Sequence, residues 1–190
     1  MTETRFVVGV TGASGIPIAV RTVEALAEHG AVHTVVTEAA ESVMAQESGS
    51  REATMGRLRA ASEQLYGESE VGAPIASGSF DTDGMVVVPA SMNTVAAVAT
   101  GRSDSLVTRA ADVTLKERRR LVVVPRETPL SQRHLENLTK LAELGVDVVP
   151  PVLGFYFDPQ EPADFLDHVV GKVLERFDLD HDCYDAWPPE

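Results

Sequence analysis

The N-terminal stretch, residues 5–30, limits the possible folds of this chain more than any other part of the sequence. Residues 6–10 form a short apolar run rich in β-branched side chains, which is typical of a buried strand in a parallel sheet. A turn of small residues, 12–15, follows, and Pro17 marks a helix start because its missing N–H costs nothing there. The helix is predicted to end at Gly30. Free N–H groups at such a helix start bind anions, with phosphate the usual one.

The turn itself matches neither of the two common phosphate-binding motifs. The dinucleotide fingerprint requires G-x-G-x-x-G, whereas residues 11–15 read T-G-A-S-G. A P-loop requires Gly-Lys-Ser or Gly-Lys-Thr at the helix start, and no such triplet follows. Two interpretations therefore stay open at this point, a phosphate-binding loop and an ordinary tight connection between strand and helix.

Length, charge and cysteine content exclude several classes of function. The 190 residues suffice for one domain, and the formal net charge of −13 disfavours nucleic acids and anionic membranes as partners. The single cysteine, Cys183, excludes an internal disulfide and a cysteine-based metal cluster. Because the sequence has neither an apolar run of about 18 residues nor a signal-peptide pattern, we expect a cytoplasmic protein.

Apolar runs alternate with helical patterns along the rest of the chain. Further strands are predicted at residues 32–36, 85–88, 121–124 and 146–149. Residues 48–74 carry scattered charge and only a weak helical pattern. The alternation predicts a doubly wound, Rossmann-like (flavodoxin-like) parallel α/β sheet, in a single domain over residues 1–190 with a C-terminal tail from about residue 178.

Polar and small residues follow four of the predicted strands. They lie at residues 12–15, at Thr37, at residues 91–94, and at Arg126 and Glu127. Ligands of open parallel sheets bind at the carboxyl ends of the strands, so these four groups can meet in one crevice. Their convergence favours a phosphorylated ligand over an ordinary connection.

Six strings of the sequence are specific enough to point to a family. They are VTGASG, SGSF, PASMNTVAAVATG, RAADVTLKERRRLVVVPRETPL, HLENLTKLAELG and PPVLGFY. With these strings in this order, the chain resembles the flavin prenyltransferases, the UbiX-type enzymes, over essentially its whole length. The resemblance implies a flavin-binding domain that joins a dimethylallyl group from dimethylallyl phosphate to N5 and C6 of reduced FMN, without a metal. It further implies a homo-oligomer, a dodecamer with the flavin at subunit interfaces, and a product, prenylated FMN, that a UbiD-type decarboxylase uses.

The resemblance also implies which residues bind FMN. They are Gly12, Ala13, Ser14, Thr37, Ser91, Met92, Asn93, Thr94 and Arg126. Small residues in the first loop let backbone N–H groups approach the flavin, and a guanidinium can hold a phosphate or carbonyl edge by two bonds. Each position has a structural alternative, such as a strand end for Thr37, a helix cap for Asn93 and a surface ion pair for Arg126.

The catalytic and donor-binding residues are implied in the same way. The donor phosphate is surrounded by Arg109, Lys116, Tyr156 and Lys172. Electrostatic stabilisation of this departing phosphate is expected to be the largest catalytic effect. Glu127 matches the acid that protonates the phosphate, and Glu47 matches a carboxylate that handles protons at the flavin, with Ser14 as a relay. A glutamate that acts as an acid near neutral pH needs a raised pKa.

Three positions depart from the family pattern. Ala90 stands where many relatives have cysteine, and Glu38 stands where lysine is frequent. Lys172 stands where several relatives have arginine, so that a forked contact becomes a point charge. The contact with the donor phosphate is the part of the site that these changes affect.

Two other functions stay open from the sequence. An FMN-dependent cysteine decarboxylase shares the fold and a similar PAS-x-NT loop, but that family relies on a histidine for which this chain has no counterpart between His33 and His134. Its Pro-x-Met-Asn-x-x-Met-Trp string is also missing, since Trp187 is the only tryptophan. A non-catalytic flavin carrier would leave Glu47 and Glu127 without a role.

Overall fold

A parallel sheet forms the centre of the computed structural model, which describes residues 4–185. Within these residues the six strands are β1 (Arg5–Val10), β2 (Ala31–Val36), β3 (Gln64–Gly67), β4 (Gly84–Ala90), β5 (Arg120–Pro125) and β6 (Asp147–Val148). Their order is β3-β2-β1-β4-β5-β6, and every neighbouring pair is parallel. This is the strand order of the Rossmann fold, so the predicted doubly wound sheet and its single domain are confirmed.

Helices cover both faces of the sheet. They are α1 (Ile16–Ala27), α2 (Glu38–Glu47), α3 (Arg51–Ala61), α4 (Met92–Ala99), α5 (Leu106–Lys116), α6 (Gln132–Glu143) and α7 (Pro162–Glu175). Alternate residues of each strand point to opposite faces. Accordingly, Val8 and Val10 pack with α1, α2, α3 and α7, whereas Val7 packs with α4, α5 and α6. Within residues 4–185, no helix is long and apolar enough to cross a membrane.

Most predicted elements are confirmed, and one strand was missed. The strands predicted at 6–10, 32–36, 85–88 and 121–124 are present, and Pro17 lies in the first turn of α1 as expected. The strand predicted at 146–149 is shorter, with only two residues in β6. β3 was not predicted, because only Tyr66 of its four residues is buried and so it gives no apolar run.

The C-terminal segment turns back onto the domain. Residues 178–185 follow α7, and Tyr184 lies against Gly171 of that helix. The remaining residues of the predicted tail, 186–190, lie outside the described part of the chain.

Candidate functional site

The carboxyl ends of the central strands open into a cavity of about 470 Å³. Five residues that the sequence assigned to FMN line this cavity, namely Gly12, Thr37, Ser91, Asn93 and Thr94. They come from the loops after β1, β2 and β4, which are adjacent because β1 lies between β2 and β4 in the sheet. Three of the four groups predicted to meet in one crevice therefore do so, whereas Arg126 and Glu127 are not among the residues that line the cavity.

Thr11 ties the two main loops together. Its side chain is buried, and its hydroxyl donates a hydrogen bond of 2.7 Å to the Pro89 carbonyl. The same oxygen accepts a hydrogen bond of 2.8 Å from the Ser91 N–H. Thr11 was not predicted as a site residue, although its place directly after β1 is the signal that could have found it. This link fixes the spacing between the loops that border the cavity.

Gly12 allows helix α2 to approach the first loop. A Cβ atom on Gly12 would lie 2.4 Å from the Cβ of Ala39 and 3.1 Å from its carbonyl carbon. The sequence predicted that a ligand approaches the backbone closely at this glycine. The structure gives a different reason, since the space for a side chain is already filled by α2.

Replacing Gly12 by aspartate is expected to weaken FMN binding by about 10- to 100-fold, because overpacking costs about 1–3 kcal/mol and here displaces α2 at the cavity. FMN fluorescence titration would measure the affinity, and circular dichroism would check the fold. Gly56→Asp is the matched control, because a Cβ at Gly56 meets nothing within 4 Å. Unchanged FMN affinity in Gly12→Asp would separate the first loop from the flavin site.

The N-terminus of α1 is occupied by a carboxylate of the chain itself. The N–H groups of Gly15 and Ile16 both donate to Glu47 Oε2, each at 3.0 Å. The sequence favoured phosphate at this helix start, but in the structure these two N–H groups are taken by Glu47. Glu47 comes from the end of α2, and the family resemblance had already linked it to Ser14, which directly precedes these N–H groups.

The same contacts keep Glu47 ionised. Burial works against the charged form, but hydrogen bonds from Ser14, Gly15 and Ile16 and the nearby Arg126 guanidinium together lower the pKa of the Glu47 carboxyl. Its charge also faces the positive end of the α1 dipole. At neutral pH this group can accept a proton but has none to donate.

Three hydroxyl groups at the cavity act as helix caps. Thr37 caps α2 by accepting from the Ala40 N–H at 3.1 Å, and Ser91 caps α4 by accepting from the Thr94 N–H at 3.3 Å. Ser105 caps α5 in the same way. The cap of α4 is thus Ser91 rather than Asn93, which is exposed and faces the cavity.

Met92 and Ala13, which the resemblance assigns to FMN, are both buried. The Met92 side chain is buried in the core between the sheet and α4, α5 and α6, so only its backbone is available to a ligand. Ala13 is buried in the first loop, where its N–H donates to the Thr11 carbonyl at 2.8 Å.

Arg126 carries an unsatisfied donor near the carboxyl ends of β4 and β5, outside the set of residues that line the cavity. It follows β5 directly, is half-buried, and its backbone N–H donates to the Ala90 carbonyl at 3.2 Å. Its Nε is buried and has no hydrogen-bond partner among residues 4–185. Leaving a buried donor unpaired costs about 1–3 kcal/mol, so this atom fits the oxygen of a ligand. Arg126 is therefore more than a surface ion pair.

Glu127 is exposed next to Arg126, at the carboxyl end of β5. Its Oε1 accepts a hydrogen bond of 3.0 Å from the Thr128 N–H. This contact engages one carboxylate oxygen of the exposed side chain.

Arg109 and Lys116, the two basic residues of α5 that the resemblance assigns to the donor phosphate, do not line the cavity. Arg109 donates from Nε to the Ala76 carbonyl at 3.1 Å and from Nη1 to Asp112 at 2.8 Å. Lys116 pairs with Glu117 at the end of α5, just before β5 begins. Because β5 has six residues of about 3.3 Å each, its two ends are about 20 Å apart. One chain therefore does not bring Lys116 to Glu127.

Tyr156 and Lys172 lie in a third region, around α7. The Tyr156 hydroxyl and His168 Nε2 are 2.8 Å apart, and the Lys172 ammonium donates to Glu175 at 3.1 Å. Burial, with a smaller effect of the Lys172 charge, lowers the pKa of His168. The lining of the cavity includes neither Tyr156 nor Lys172.

Several lining residues were missed by the sequence analysis. They are Glu68, Arg102, Asp104, Ser105 and Thr108. Glu68 follows β3, so the rule that selected the other loops would have found it had that strand been recognised. Its carboxylate accepts from the Glu38 N–H at 2.8 Å, at the start of α2. Arg102 Nε and Asp104 Oδ2 are 3.3 Å apart, in the segment between α4 and α5, which follows no strand.

Comparison with known proteins identifies the family. The family described as Flavoprotein matches residues 1–177 of the chain. The flavin prenyltransferase LpdB of Lactiplantibacillus plantarum is 47% identical over 185 residues, covering 96% of this chain and 97% of LpdB. The chain belongs to the flavin prenyltransferase family. This relation confirms the resemblance to flavin prenyltransferases that the sequence motifs indicated.

Solved structures of the flavin prenyltransferase family have the same fold. AnUbiX (PadA1), solved in complex with FMN and dimethylallyl pyrophosphate, has a TM-score of 0.94 at 39% identity and covers 100% of both chains. A dodecameric FMN-dependent UbiX-like decarboxylase from Escherichia coli O157:H7 has a TM-score of 0.93 at 41% identity, with 98% of this chain and 100% of that chain covered. The FMN-dependent cysteine decarboxylase TvaF has a TM-score of 0.66 at 18% identity, which shows a shared fold alone.

Proposed function

We propose that this protein is a flavin prenyltransferase that joins the dimethylallyl group of dimethylallyl phosphate to N5 and C6 of reduced FMN. The observation that carries the proposal is the cavity of small and hydroxyl residues at the carboxyl ends of the strands, together with the buried, unpaired Nε of Arg126 at the end of the neighbouring strand β5. The family relatives support it, since one of them was solved with FMN and a dimethylallyl donor. The whole chain, residues 1–190, then serves as one flavin-binding domain.

FMN would be held by the loops after β1, β2 and β4. Because Glu47 occupies the start of α1, the hydroxyl and N–H groups at the start of α4 are better placed to bind the phosphate. Asn93, Thr94 and Arg102 line the same cavity. Bound reduced FMN supplies the electron-rich ring atoms that the dimethylallyl group joins, and Arg126 offers its Nε to an oxygen of the flavin.

The donor phosphate departs with the electron pair of its carbon–oxygen bond. Positive charge next to that oxygen stabilises the developing anion, and Arg109, Lys116, Tyr156 and Lys172 supply hydrogen-bond donors for it. Glu127 donates a proton to the departing phosphate, a role that requires a neighbouring subunit or the bound ligands to remove water from this exposed carboxyl group. Its exposed carboxyl group, held by Thr128 at one oxygen, can reach a ligand at the edge of the sheet.

Glu47 takes the opposite role. Since the pKa of Glu47 is lowered, this residue enters the reaction as a carboxylate. It accepts a proton from the flavin, and the Ser14 hydroxyl that is bonded to it acts as a relay. This division of labour between Glu127 and Glu47 gives the site one acid and one base.

The complete site requires more than one subunit. Within one chain, Lys116 lies before the start of β5 and Glu127 lies after its end, while both are assigned to the same phosphate. Apolar side chains in the loop before α7 are exposed, with Val152 at 65%, Leu153 at 61% and Phe155 at 70%. Such a surface is typical of an interface between subunits. A homo-oligomer, with the dodecamer of the Escherichia coli relative as its pattern, would cover it.

The product of this reaction, prenylated FMN, would pass to a UbiD-type decarboxylase. A reduced flavin substrate and a single cysteine are consistent with the reducing conditions of the cytoplasm. Residues 4–185 contain no group of three or more side chains that could hold a metal ion. The reaction proposed here uses no metal ion.

Incubation of the protein with FMN, a reductant and dimethylallyl phosphate without oxygen should give a flavin whose mass is raised by the five-carbon group. Mass spectrometry of the released flavin checks this, and dimethylallyl diphosphate in a parallel sample tests which donor is used. An unmodified flavin with both donors would contradict the proposal. Thiol-dependent release of CO2 from a cysteine peptide would instead indicate the decarboxylase, and tight FMN binding alone would indicate a carrier.

A further inference from the structure

Two side chains around Lys172 have no role in the proposed reaction. Glu175 lies one turn later on α7, and Tyr184 belongs to the segment after that helix. The Lys172 ammonium donates to both oxygens of Glu175, at 3.1 and 3.2 Å. The Tyr184 hydroxyl donates to Glu175 Oε1, and the centre of the Tyr184 ring is 4.9 Å from Lys172 Nζ. The three side chains thus form a closed set of contacts around one ammonium group.

Tyr184 is held in place by the backbone of α7. A Cβ atom on Gly171 would lie 2.6 Å from Tyr184 and 2.8 Å from His181, so both rings pack directly on this glycine. The Tyr184 ring also meets the His168 ring edge-on, with 4.7 Å between their centres. The position of the Tyr184 ring is therefore fixed by contacts that do not involve Lys172.

The charges in this cluster are stable near neutral pH. Burial opposes ionisation of Glu175, but hydrogen bonds from Tyr184 and Lys172 lower the pKa of Glu175. Burial and the Glu175 carboxylate raise the pKa of Tyr184 to about 12, so its hydroxyl stays protonated. Two further groups face Glu175, since Arg176 Nη2 and His181 Nε2 each lie 3.6 Å from a carboxylate oxygen.

We propose that Glu175 and Tyr184 are positioning residues that hold the Lys172 ammonium ready for the phosphate of the donor. The inference rests on the proposed function, which places Lys172 at that phosphate. A lysine is a point charge on a flexible stem, whereas the arginine of several relatives offers a rigid fork. Fixing the ammonium before the donor binds lowers the entropy cost of that contact. Glu175 accepts from at most two of the three N–H groups of Lys172, which leaves one for phosphate.

The full-length Glu175→Gln variant should raise the KM for dimethylallyl phosphate about tenfold and leave FMN affinity unchanged, because a charge-assisted contact of this kind is lost. Tyr184→Leu should raise this KM more than Tyr184→Phe does, because phenylalanine keeps an aromatic ring near the ammonium. Glu24→Gln, which breaks the exposed ion pair with Arg57, serves as the control. A lower melting temperature with an unchanged KM would overturn the proposal. A reduced KM in Glu175→Gln would also overturn it, since Glu175 would then compete with phosphate for Lys172.

A double-mutant cycle tests whether Glu175 acts through Lys172. In the Lys172→Met background, Glu175→Gln should cause no further rise in KM. A full additional rise would contradict the proposal.

A second readout does not depend on prenyl transfer. Isotope-labelled lysine gives only three ammonium signals, from Lys116, Lys140 and Lys172. Loss of the Glu175 carboxylate should lower the pKa of Lys172 alone. An unchanged Lys172 titration would refute the proposed contact, whereas absence of prenylated FMN in the wild type with a normal Lys172 shift would refute only the proposed function.

Discussion

Replacing Glu127 by glutamine is expected to lower turnover about 10²- to 10⁴-fold while FMN and the donor still bind, because this is the usual contribution of general acid catalysis. Glutamine keeps the size of the side chain and can still accept from the Thr128 N–H, which now meets Glu127 Oε1 at 3.0 Å. It cannot deliver a proton to the departing phosphate. Single-turnover measurement of prenylated FMN formation, together with FMN titration, separates the rate from the affinity.

The opposite pattern would identify a structural role for Glu127. If it served only to position Arg126, Glu127→Gln would weaken FMN binding and leave the rate of the bound state almost unchanged. Near-wild-type turnover at saturating FMN would exclude Glu127 as the acid. Glu136→Gln is a suitable control, because it removes an α6 carboxylate whose partner, Arg133 at 3.2 Å, lies on the same helix.

Mixing two inactive variants is expected to restore activity. Lys116→Ala alone should lose about 10²- to 10³-fold in turnover, as for other donors that stabilise a developing anion. Glu127→Gln alone should also be inactive. In mixed oligomers formed by coexpression, about a quarter of the sites at a shared interface combine an intact Lys116 from one chain with an intact Glu127 from its neighbour. Activity near a quarter of wild type would follow.

The structural basis of this expectation is the length of β5. Lys116 precedes that strand and Glu127 follows it, so one chain presents them about 20 Å apart. The matched control combines Arg109→Ala with Lys116→Ala, since both residues lie on α5 and no chain in that mixture has both intact. Recovery in the control, or its absence in the first mixture, would contradict a site shared between subunits.

Much of the fold could be predicted because its signals are local. Buried parallel strands are continuous apolar runs, and the turns after them carry the small and polar residues that a ligand needs. This is how the loops at Gly12, Thr37 and Ser91 were found. β3 escaped because it is short, lies at the sheet edge and buries only Tyr66. Glu68, which borders the cavity directly after β3, was missed for the same reason.

The sequence by itself determined the alternation of strands and helices apart from β3, the family, and the set of residue types available for binding and catalysis. Only the tertiary structure decided how these residues meet. It placed Glu47 on the N–H groups of α1, where phosphate was expected, and left the Nε of Arg126 without a partner among residues 4–185. It also separated Lys116 from Glu127. Local patterns record which backbone a segment adopts, whereas contacts between distant segments depend on how the whole sheet packs, and no local pattern encodes them.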